Sequence, residues 1–517
     1  MHYNKKFDLY LYVLLTPFIL GLFSVFTFRP YNLTFLSFLI LTLIFLNLTY
    51  VSEKTKKKYR KYTINYSLLV GYSFGFGFFL SNTFWISNSL NYEESLKYFI
   101  PISIVLIPAF LAVFFALGFY FVSRFLKYKV YSVILFSSTL AFIDFIRGKI
   151  LTGFPWNLWS YTWSWAPEAI QSLQFLGLYS FNFICILLFT LPSVLFFKYF
   201  KKKFYFSIFY SLVFLILYLF GNYNINTQNN EKISNSAEKI NFKVISPGFD
   251  INYSLKDEDV KRLIDKLILF SNPISSEKTV FIWPEGVFGY YDLKDLKKFD
   301  NIFKKNFNKN HKIIFGVNTY DKDKNKHYNS LVLVDHNFRL IYKYNKRKLV
   351  PFGEYLPLKD IVSKTGFREI AISREGFIKG TNNPSLKIGN FSILTLICYE
   401  IIFPKYIQSD NKDSDIIINI SQDAWFGDSF GPHQHFSKAI FRAVESNAFL
   451  VRSANKGVSS IISNTGNVIK YLSPNEKGSL DAVIFKRKID KKNKNDLIFF
   501  LLLFTTVIIS YFKPYEK

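Results

Sequence analysis

Across roughly the first 220 residues, long apolar runs alternate with short polar or basic breaks, and each run is near the roughly 20 residues that carry a helix across a bilayer core. About seven spans are predicted, near Leu9–Phe28, Leu33–Val51, Ser67–Ile86, Phe99–Val122, Val130–Ile146, Ile170–Phe197 and Phe204–Phe220. The first follows His2, Lys5 and Lys6, has no small-residue cleavage site after it, and is read as an uncleaved helix. Asn222 to Lys239 is polar and nearly devoid of large apolar residues, which predicts a linker. From Ile240 to about Lys488 the pattern changes: the short β-type runs FKVIS, TVFIW, KIIFGV, SLVLVD, FSILTLIC, DIIINIS, FLVRSA and VSSIIS alternate with helical stretches such as Leu255–Leu269 and Gln434–Ala448. Such alternation predicts a layered α/β domain. A last apolar run, Leu497–Phe512, is just long enough for one more span. The expected organisation is therefore a membrane domain over 1–221, a linker over 222–239, an α/β domain over 240–490, and a C-terminal transmembrane helix with its tail over 491–517.

The composition agrees with a partly membrane-embedded chain: 50% of the 517 residues are hydrophobic and 20% aromatic. A formal net charge of +27 raises nucleic acid as a partner. The lysines, however, cluster largely at the ends of apolar runs or on the polar α/β region, which favours a membrane surface and excludes a nucleic-acid reading. The basic loops Lys54–Lys61, Arg124–Lys129 and Lys198–Lys203 follow the second, fourth and sixth spans, while Arg29–Leu33 and Ser87–Lys97 are poorer in positive charge. By the positive-inside rule the N-terminus is cytoplasmic and the α/β domain lies outside, which in a diderm bacterium means the periplasm. The basic run Lys486–Asn495 opposes that topology, but long exported domains cross largely regardless of charge.

Candidate chemistry gathers at strand exits. Cys185 lies within an apolar run, whereas Cys398 ends the run FSILTLICYE, followed at once by Tyr399 and Glu400. Two cysteines leave no disulfide framework or cysteine-rich metal site. A thiol becomes a competent nucleophile only with a base within reach and a cation to favour the thiolate or the oxyanion. The six histidines offer no convincing base, and His433 with His435, two residues apart without a third ligand, is a poor metal pair. Glu285, in the turn WPEG after VFIW, and Lys346, after LIYKYN and before PFGEY with its Glu354, stand at comparable exits. One predicted outer loop, Thr152–Ala166, packs Trp156, Trp159, Trp163 and Trp165 together. It reads either as an interfacial aromatic belt or as a lipid-facing floor with Arg147 and Lys149 near headgroup phosphates.

Taken together, WPEG (Trp283–Gly286), HYNS (His327–Ser330), YNKRKLVPFGEYLP (Tyr344–Pro357), ICYEI (Ile397–Ile401), SQDAWFGDSFGPHQHF (Ser421–Phe436), RSANKGVS (Arg452–Ser459) and TGFPWN (Thr152–Asn157) make a chain that resembles the apolipoprotein N-acyltransferases, a membrane branch of the nitrilase, or carbon–nitrogen hydrolase, superfamily. The resemblance implies a multi-pass α-helical membrane domain joined to a nitrilase-like αββα sandwich. It implies a triad of Glu285 as general base, Lys346 as oxyanion partner and Cys398 as nucleophile, with no metal and no cofactor. The implied reaction moves an acyl chain from a phospholipid, commonly phosphatidylethanolamine, through a Cys thioester to the α-amine of an S-diacylglyceryl-cysteine on an apolipoprotein. The implied setting is the bacterial inner membrane, with the catalytic domain in the periplasm. Glu354 is expected to orient Lys346 or assist proton transfer, Tyr399 and Glu400 to shape the pocket, and Trp425, Phe426 and Trp156 to contact acyl chains.

The chain departs from the family pattern at two points. No Trp stands between Asp250 and Phe281, where the family carries one after a Gln-containing strand, and Lys348 replaces a His two residues after the triad Lys. The turn-rich stretches Pro351–Gly380 and Asp423–Pro432 are expected to form a lid. The alternatives are a membrane-tethered amidase with water as acceptor and a non-catalytic transporter or scaffold. An intact triad and a shortage of ionisable residues in the spans argue against the latter.

Overall fold

The computed structural model describes residues 10–58, 63–229, 238–357, 376–408, 414–487 and 496–512. The basic N-terminus, 59–61 of the first basic loop, 358–375 of the expected lid, most of the basic run before the last span and the tail after it lie outside the described residues. The chain forms two compact units, one of 1–229, 428–437 and 494–517 and one of 230–427 and 438–493.

The first unit is helical. Five of its helices, Phe35–Lys56, Glu94–Ser123, Val130–Lys149, Leu173–Phe196 and Lys203–Gln228, are long and apolar enough to cross a membrane. The first and last predicted spans form shorter apolar helices, Leu11–Thr27 and Leu497–Ile508. The third predicted span is the 21-residue helix Thr63–Thr83, whose glycines, serines and asparagines dilute its hydropathy. Those glycines serve packing: a Cβ on Gly21 would lie 2.2 Å from the Phe74 carbonyl oxygen and one on Gly77 2.3 Å from that of Phe18, so two helices meet backbone to backbone there. The helix Lys203–Asn229 turns Phe204, Phe209 and Ile216 outward, each more than 60% exposed. An apolar surface of this extent belongs against lipid, as in a membrane protein. The polar stretch read as a linker from Asn222 is helical as far as Asn229, because the backbone hydrogen bonds of this helix continue beyond its apolar residues.

The second unit holds two six-stranded sheets. The first has the order β12-β1-β2-β3-β4-β5, with β1 Lys239–Ser246, β2 Thr279–Ile282, β3 His311–Asp321, β4 Lys326–Asp335, β5 Leu340–Asn345 and β12 Gly478–Phe485. The second has the order β11-β10-β9-β8-β7-β6, with β6 Ser385–Ile388, β7 Phe391–Ile397, β8 Ile416–Gln422, β9 Phe449–Asn455, β10 Ser459–Ile462 and β11 Val468–Leu472. Strands β1, β2 and β3 run parallel, as do β7, β8 and β9, so the C-terminal ends within each set open on one edge. The sheets face each other, β1 against β9 and β4 against β7. On the outer face of the first sheet the helix Asp257–Ser271 buries Val260, Ile264 and Leu267 in a core shared with Phe281, Trp283 and Phe315. This is the layered α/β sandwich that the pattern predicted.

Candidate active site

Three strand ends of the second unit deliver the expected triad residues to one buried cluster. Glu285 lies three residues beyond the end of β2, where Gly286 turns the chain with φ 66°. A buried strand that ends in a Pro-Glu-Gly turn cannot continue its ladder, and the carboxylate is left at the mouth of the sheet. Lys346 follows β5 directly, and its backbone N–H donates to the Asn329 carbonyl at 2.8 Å, which fixes the exit of the strand. Cys398 follows β7 and opens the short 3₁₀ helix Cys398–Ile402. Its φ of 46° lies in the left-handed region, costly for a residue with a Cβ and a feature of sharply turned functional positions.

Lys346 is the centre of the cluster. Its Nζ donates to Glu285 Oε1 at 3.1 Å and to Glu354 Oε1 at 2.8 Å, and the residue is 1% exposed. Burial alone would lower its pKa, but Glu285, Glu354 and Cys398 outweigh it, and Lys346 is held as an ammonium with a pKa well above the ordinary value. Glu354 also accepts the Val350 backbone N–H at 2.8 Å, so it ties the lysine to its own loop. Asn329 on β4 donates its amide at 2.7 Å to both Glu285 Oε1 and Glu354 Oε1, and the Gln422 backbone N–H donates to Glu285 Oε2 at 2.9 Å. Each carboxylate thus has its lone pairs directed by neutral donors as well as by the lysine. The Cys398 thiol responds mainly to burial, which pushes its pKa far up; Glu285 and Asp423 add to the rise, while Lys346 and the Ser421 hydroxyl oppose it. The thiol therefore rests neutral, and a neutral thiol needs a base before it can act as a nucleophile.

Glu400 is placed differently from its expected role. The carboxylate is fully buried, and Oε1 accepts from Tyr344 Oη at 2.8 Å and from the backbone N–H groups of Arg347 at 2.7 Å and Lys348 at 3.1 Å. Oε2 accepts the Ile397 N–H at 2.9 Å. Glu400 therefore clamps the lysine loop to the nucleophile turn from behind and does not line a pocket. Burial pushes its pKa up and these donors oppose the rise. Tyr399 is buried against Phe403, ring centroids 5.1 Å apart. Lys348 lies over the Phe403 ring at 4.7 Å, with its pKa lowered by burial and by Lys379 and Lys405.

Trp425 and Phe426 are half-buried, and Trp425 lies 6.0 Å from Tyr253, which stacks on Tyr290 at 4.6 Å. Asp423, expected in a lid, is fully buried and ion-paired with Arg452 at 2.8 Å. Trp156 belongs to the first unit and is 2% exposed: it donates to Gln434 Oε1 at 2.9 Å and packs on Trp85, Phe154 and His435. Trp159 is likewise fully buried. For these two rings the belt and the lipid-facing floor both give way to core packing. Arg147 is not available to headgroups either, because it is buried against Asp144 at 2.8 Å and donates to the Phe154 carbonyl; Lys149 pairs with Asp496 at 2.7 Å. Among the described residues no group of three or more His, Cys, Asp and Glu side chains could hold a metal.

The sequence reading assigned no role to Asn329, Ser421 or Gln422, and placed Asp423 only in an expected lid. The motifs HYNS and SQDAWF contain them, but amides and hydroxyls on strands carry no signal of chemistry until their partners are known.

Residues 20–191 match the model of the apolipoprotein N-acyltransferase N-terminal domain, and residues 279–491 match the carbon–nitrogen hydrolase model. An apolipoprotein N-acyltransferase from Bradyrhizobium diazoefficiens is 30% identical over 400 residues, covering 75% of this chain and 74% of its own. One from Rickettsia typhi is 30% identical over 396 residues, covering 76% and 78%.

Proposed function

Because the chain belongs to the apolipoprotein N-acyltransferase family, we propose that it transfers an acyl chain from a phospholipid to the α-amine of an S-diacylglyceryl-cysteine at a lipoprotein N-terminus, through a thioester on Cys398. The observation that carries this reading is a buried ammonium, Lys346, shared between Glu285 at 3.1 Å and Glu354 at 2.8 Å and coupled electrostatically to the Cys398 thiol. The arrangement supplies a base, a cation and a nucleophile on three strand ends.

In the first half-reaction Glu285 accepts the thiol proton as Sγ attacks an ester carbonyl carbon. The tetrahedral oxyanion forms within reach of the Lys346 ammonium. Collapse breaks the ester C–O bond, and the lysophospholipid alkoxide leaves with the proton returned by Glu285. The acyl-enzyme then meets the α-amine, whose nitrogen attacks the thioester carbon while Glu285 accepts an amine proton. Collapse releases the Cys398 sulfur, which recovers that proton from Glu285. One ester and one amine enter, one amide and one alcohol leave, and no cofactor is needed. Glu354 and Asn329 hold the lysine and the base in register throughout. In this proposal phosphatidylethanolamine is the donor, Trp425 and Phe426 contact its chains, and residues 1–221 and 491–517 retain the enzyme in the inner membrane with 240–490 in the periplasm.

Intact-mass measurement of the full-length protein mixed with phosphatidylethanolamine, beside Cys398→Ala, tests the first half. The expected result is a gain of one acyl chain, lost on hydroxylamine treatment and missing in the variant; no adduct on a folded, lipid-exposed protein overturns phospholipid transfer through Cys398. The carbon–nitrogen hydrolase match over 279–491 favours one second reading, an amidase with water as acceptor. Adding a synthetic diacylglyceryl-cysteinyl peptide separates the two: an N-acylated peptide supports transfer, and release of free fatty acid alone supports hydrolysis.

A further inference from the structure

Behind the nucleophile lies a second polar network that the reaction above does not use. Strands β7 and β8 are parallel neighbours with Ile397 opposite Ile420, so Cys398, the first residue beyond β7, stands beside Ser421, which is still within β8 and paired with Ala454 of β9. Ser421 is fully buried, and its hydroxyl donates to Asp423 Oδ1 at 2.6 Å. Asp423 Oδ2 is held by Arg452 Nη2 at 2.8 Å, with both side chains at 0% exposure. Arg452 in turn donates to the Asn419 side chain and, at 3.2 Å, to the Val458 carbonyl. A Cβ on Gly457 would stand 2.2 Å from Asp423 Oδ2, so the chain passes against this carboxylate with no room for a side chain. The next residue of β8, Gln422, gives its backbone N–H to Glu285. One strand end therefore lies beside Cys398 at Ser421 and hydrogen-bonds Glu285 at Gln422.

A serine has one hydroxyl hydrogen, and two acceptors stand in its reach: the Asp423 carboxylate now, and the Cys398 sulfur once it carries charge. We propose that Ser421 is a hydrogen-bonding partner of the reacting sulfur and that the Asp423–Arg452 ion pair is the positioning device that governs when its hydrogen is released to that sulfur. At rest Asp423 holds the hydrogen and the thiol keeps its proton. As Glu285 removes the thiol proton, the Ser421 hydroxyl rotates from Asp423 Oδ1 to Sγ, and Arg452 keeps the vacated carboxylate compensated. The only covalent changes in this step are the S–H bond broken and the O–H bond formed on Glu285. The charged groups facing the thiol are then all accounted for: Glu285 from the β2 exit, Lys346 from the β5 exit and Asp423 from the β8 exit, with Ser421 as the neutral donor. Charge and hydroxyl act in opposite senses, because a nearby carboxylate disfavours the thiolate and a donated hydrogen bond favours it.

That opposition gives the test, which rests on Cys398 being the nucleophile but requires no lipid. Full-length protein in detergent is treated with iodoacetamide from pH 6 to 11, and modification is followed on the Cys398 peptide by mass spectrometry. Ser421→Ala is expected to move the rise in rate to higher pH by about one unit, about tenfold slower alkylation at a fixed pH. Asp423→Asn is expected to move it to lower pH by a similar amount, and Ser421→Thr, which keeps the hydroxyl, to restore the wild-type profile. An unchanged profile in Ser421→Ala, or shifts of Ser421→Ala and Asp423→Asn in the same direction, overturns the proposal. Should Asp423→Asn leave Arg452 too poorly paired to fold, Ser421→Ala against Ser421→Thr decides alone. The readout also separates this idea from the proposed activity: failure to form a phospholipid-derived thioester leaves the alkylation profiles unaffected, and unshifted profiles leave the thioester result standing.

Discussion

Each unit of this protein buries ion pairs, and two of them, one from each unit, look alike until their partners are counted. In the helical unit Arg147 meets Asp144 at 2.8 Å, donates to the Phe154 carbonyl, and leaves Asp144 to accept from Asn182 at 3.0 Å. In the sandwich, Lys346 meets Glu285 and Glu354 at 3.1 and 2.8 Å. The first pair joins a permanently charged guanidinium to one carboxylate, one helix turn away, and fastens the loop that carries Trp156. The second gives one ammonium to two carboxylates beside a thiol, so charge and protons can be redistributed among four groups. Burial of charge does not by itself mark a site; the capacity of its neighbours to exchange a proton does.

The largest expected effect breaks the second pair. Lys346→Met removes the cation proposed to stabilise the oxyanion, and formation of the proposed acyl-enzyme is expected to fall by about a hundred- to a thousandfold, measured as the initial rate of the mass gain with phosphatidylethanolamine. The matching change in the first pair, Arg147→Met, strands a buried carboxylate. It is expected to cost about 3–5 kcal/mol of stability, and adding Asp144→Leu to recover most of it. Chemical denaturation of the single and double variants reads this directly. If Arg147→Met instead left stability intact and removed the acyl-enzyme, the pair would be part of the chemistry and the contrast would fail.

A third experiment sharpens what the shared lysine does to the thiol. Glu285 raises the pKa of Cys398 and Lys346 lowers it, although burial exceeds both. In an acid whose charged form is the anion, removing a nearby negative charge favours ionisation. Glu285→Gln is therefore expected to move the alkylation profile of Cys398 to lower pH while abolishing acyl transfer, and Lys346→Met to move it to higher pH. A base that is lost while its thiol becomes easier to ionise has a role beyond the field it exerts.

How far the sequence carried this picture follows the same division between pattern and partner. The eight β-type runs read from hydrophobic patterning correspond to the eight interior strands, β1 to β4 and β7 to β10, which are covered on both faces and write near-continuous apolar runs. The edge strands β6, β11 and β12 escaped that reading, and β5 was noticed only as the segment before Lys346, because an edge strand with residues such as Lys387, Lys470 and Asp481 need not be apolar throughout. Glu285, Lys346 and Cys398 were singled out because the sequence sets all three at strand exits, and the structure brings Glu285 and Lys346 within hydrogen-bonding distance. Glu400 was legible as a residue but not as a clamp, since nothing in CYEI tells which way a carboxylate turns. Trp156 shows the opposite failure: a cluster of tryptophans reads the same at a lipid interface and in a core, and only its contact with Gln434 separates the two.

Lys348 gives the smallest, most discriminating test. Its half-buried ammonium lies against Phe403 and near Lys379 and Lys405, and its pKa is lowered by burial first and by those two lysines next. The unfolded chain, with the ordinary value of 10.5, binds more protons at this residue than the folded protein does between the lowered pKa and 10.5. Stability gained from this residue therefore rises with pH across that window, the reverse of what a lysine held by carboxylates does. Lys346, whose folded pKa is raised, contributes stability that is present below 10.5 and is lost only as pH climbs through the raised value. Thermal unfolding followed from pH 8 to pH 10.5 is expected to show a shallow rise due to Lys348 that Lys348→Met removes, with acyl-enzyme formation at pH 7.5 changed less than about threefold. A large loss of acyl-enzyme in that variant would move Lys348 from a tolerated burden on the loop to a participant beside the triad, and the line between fastening and reacting charges would have to be redrawn to include it.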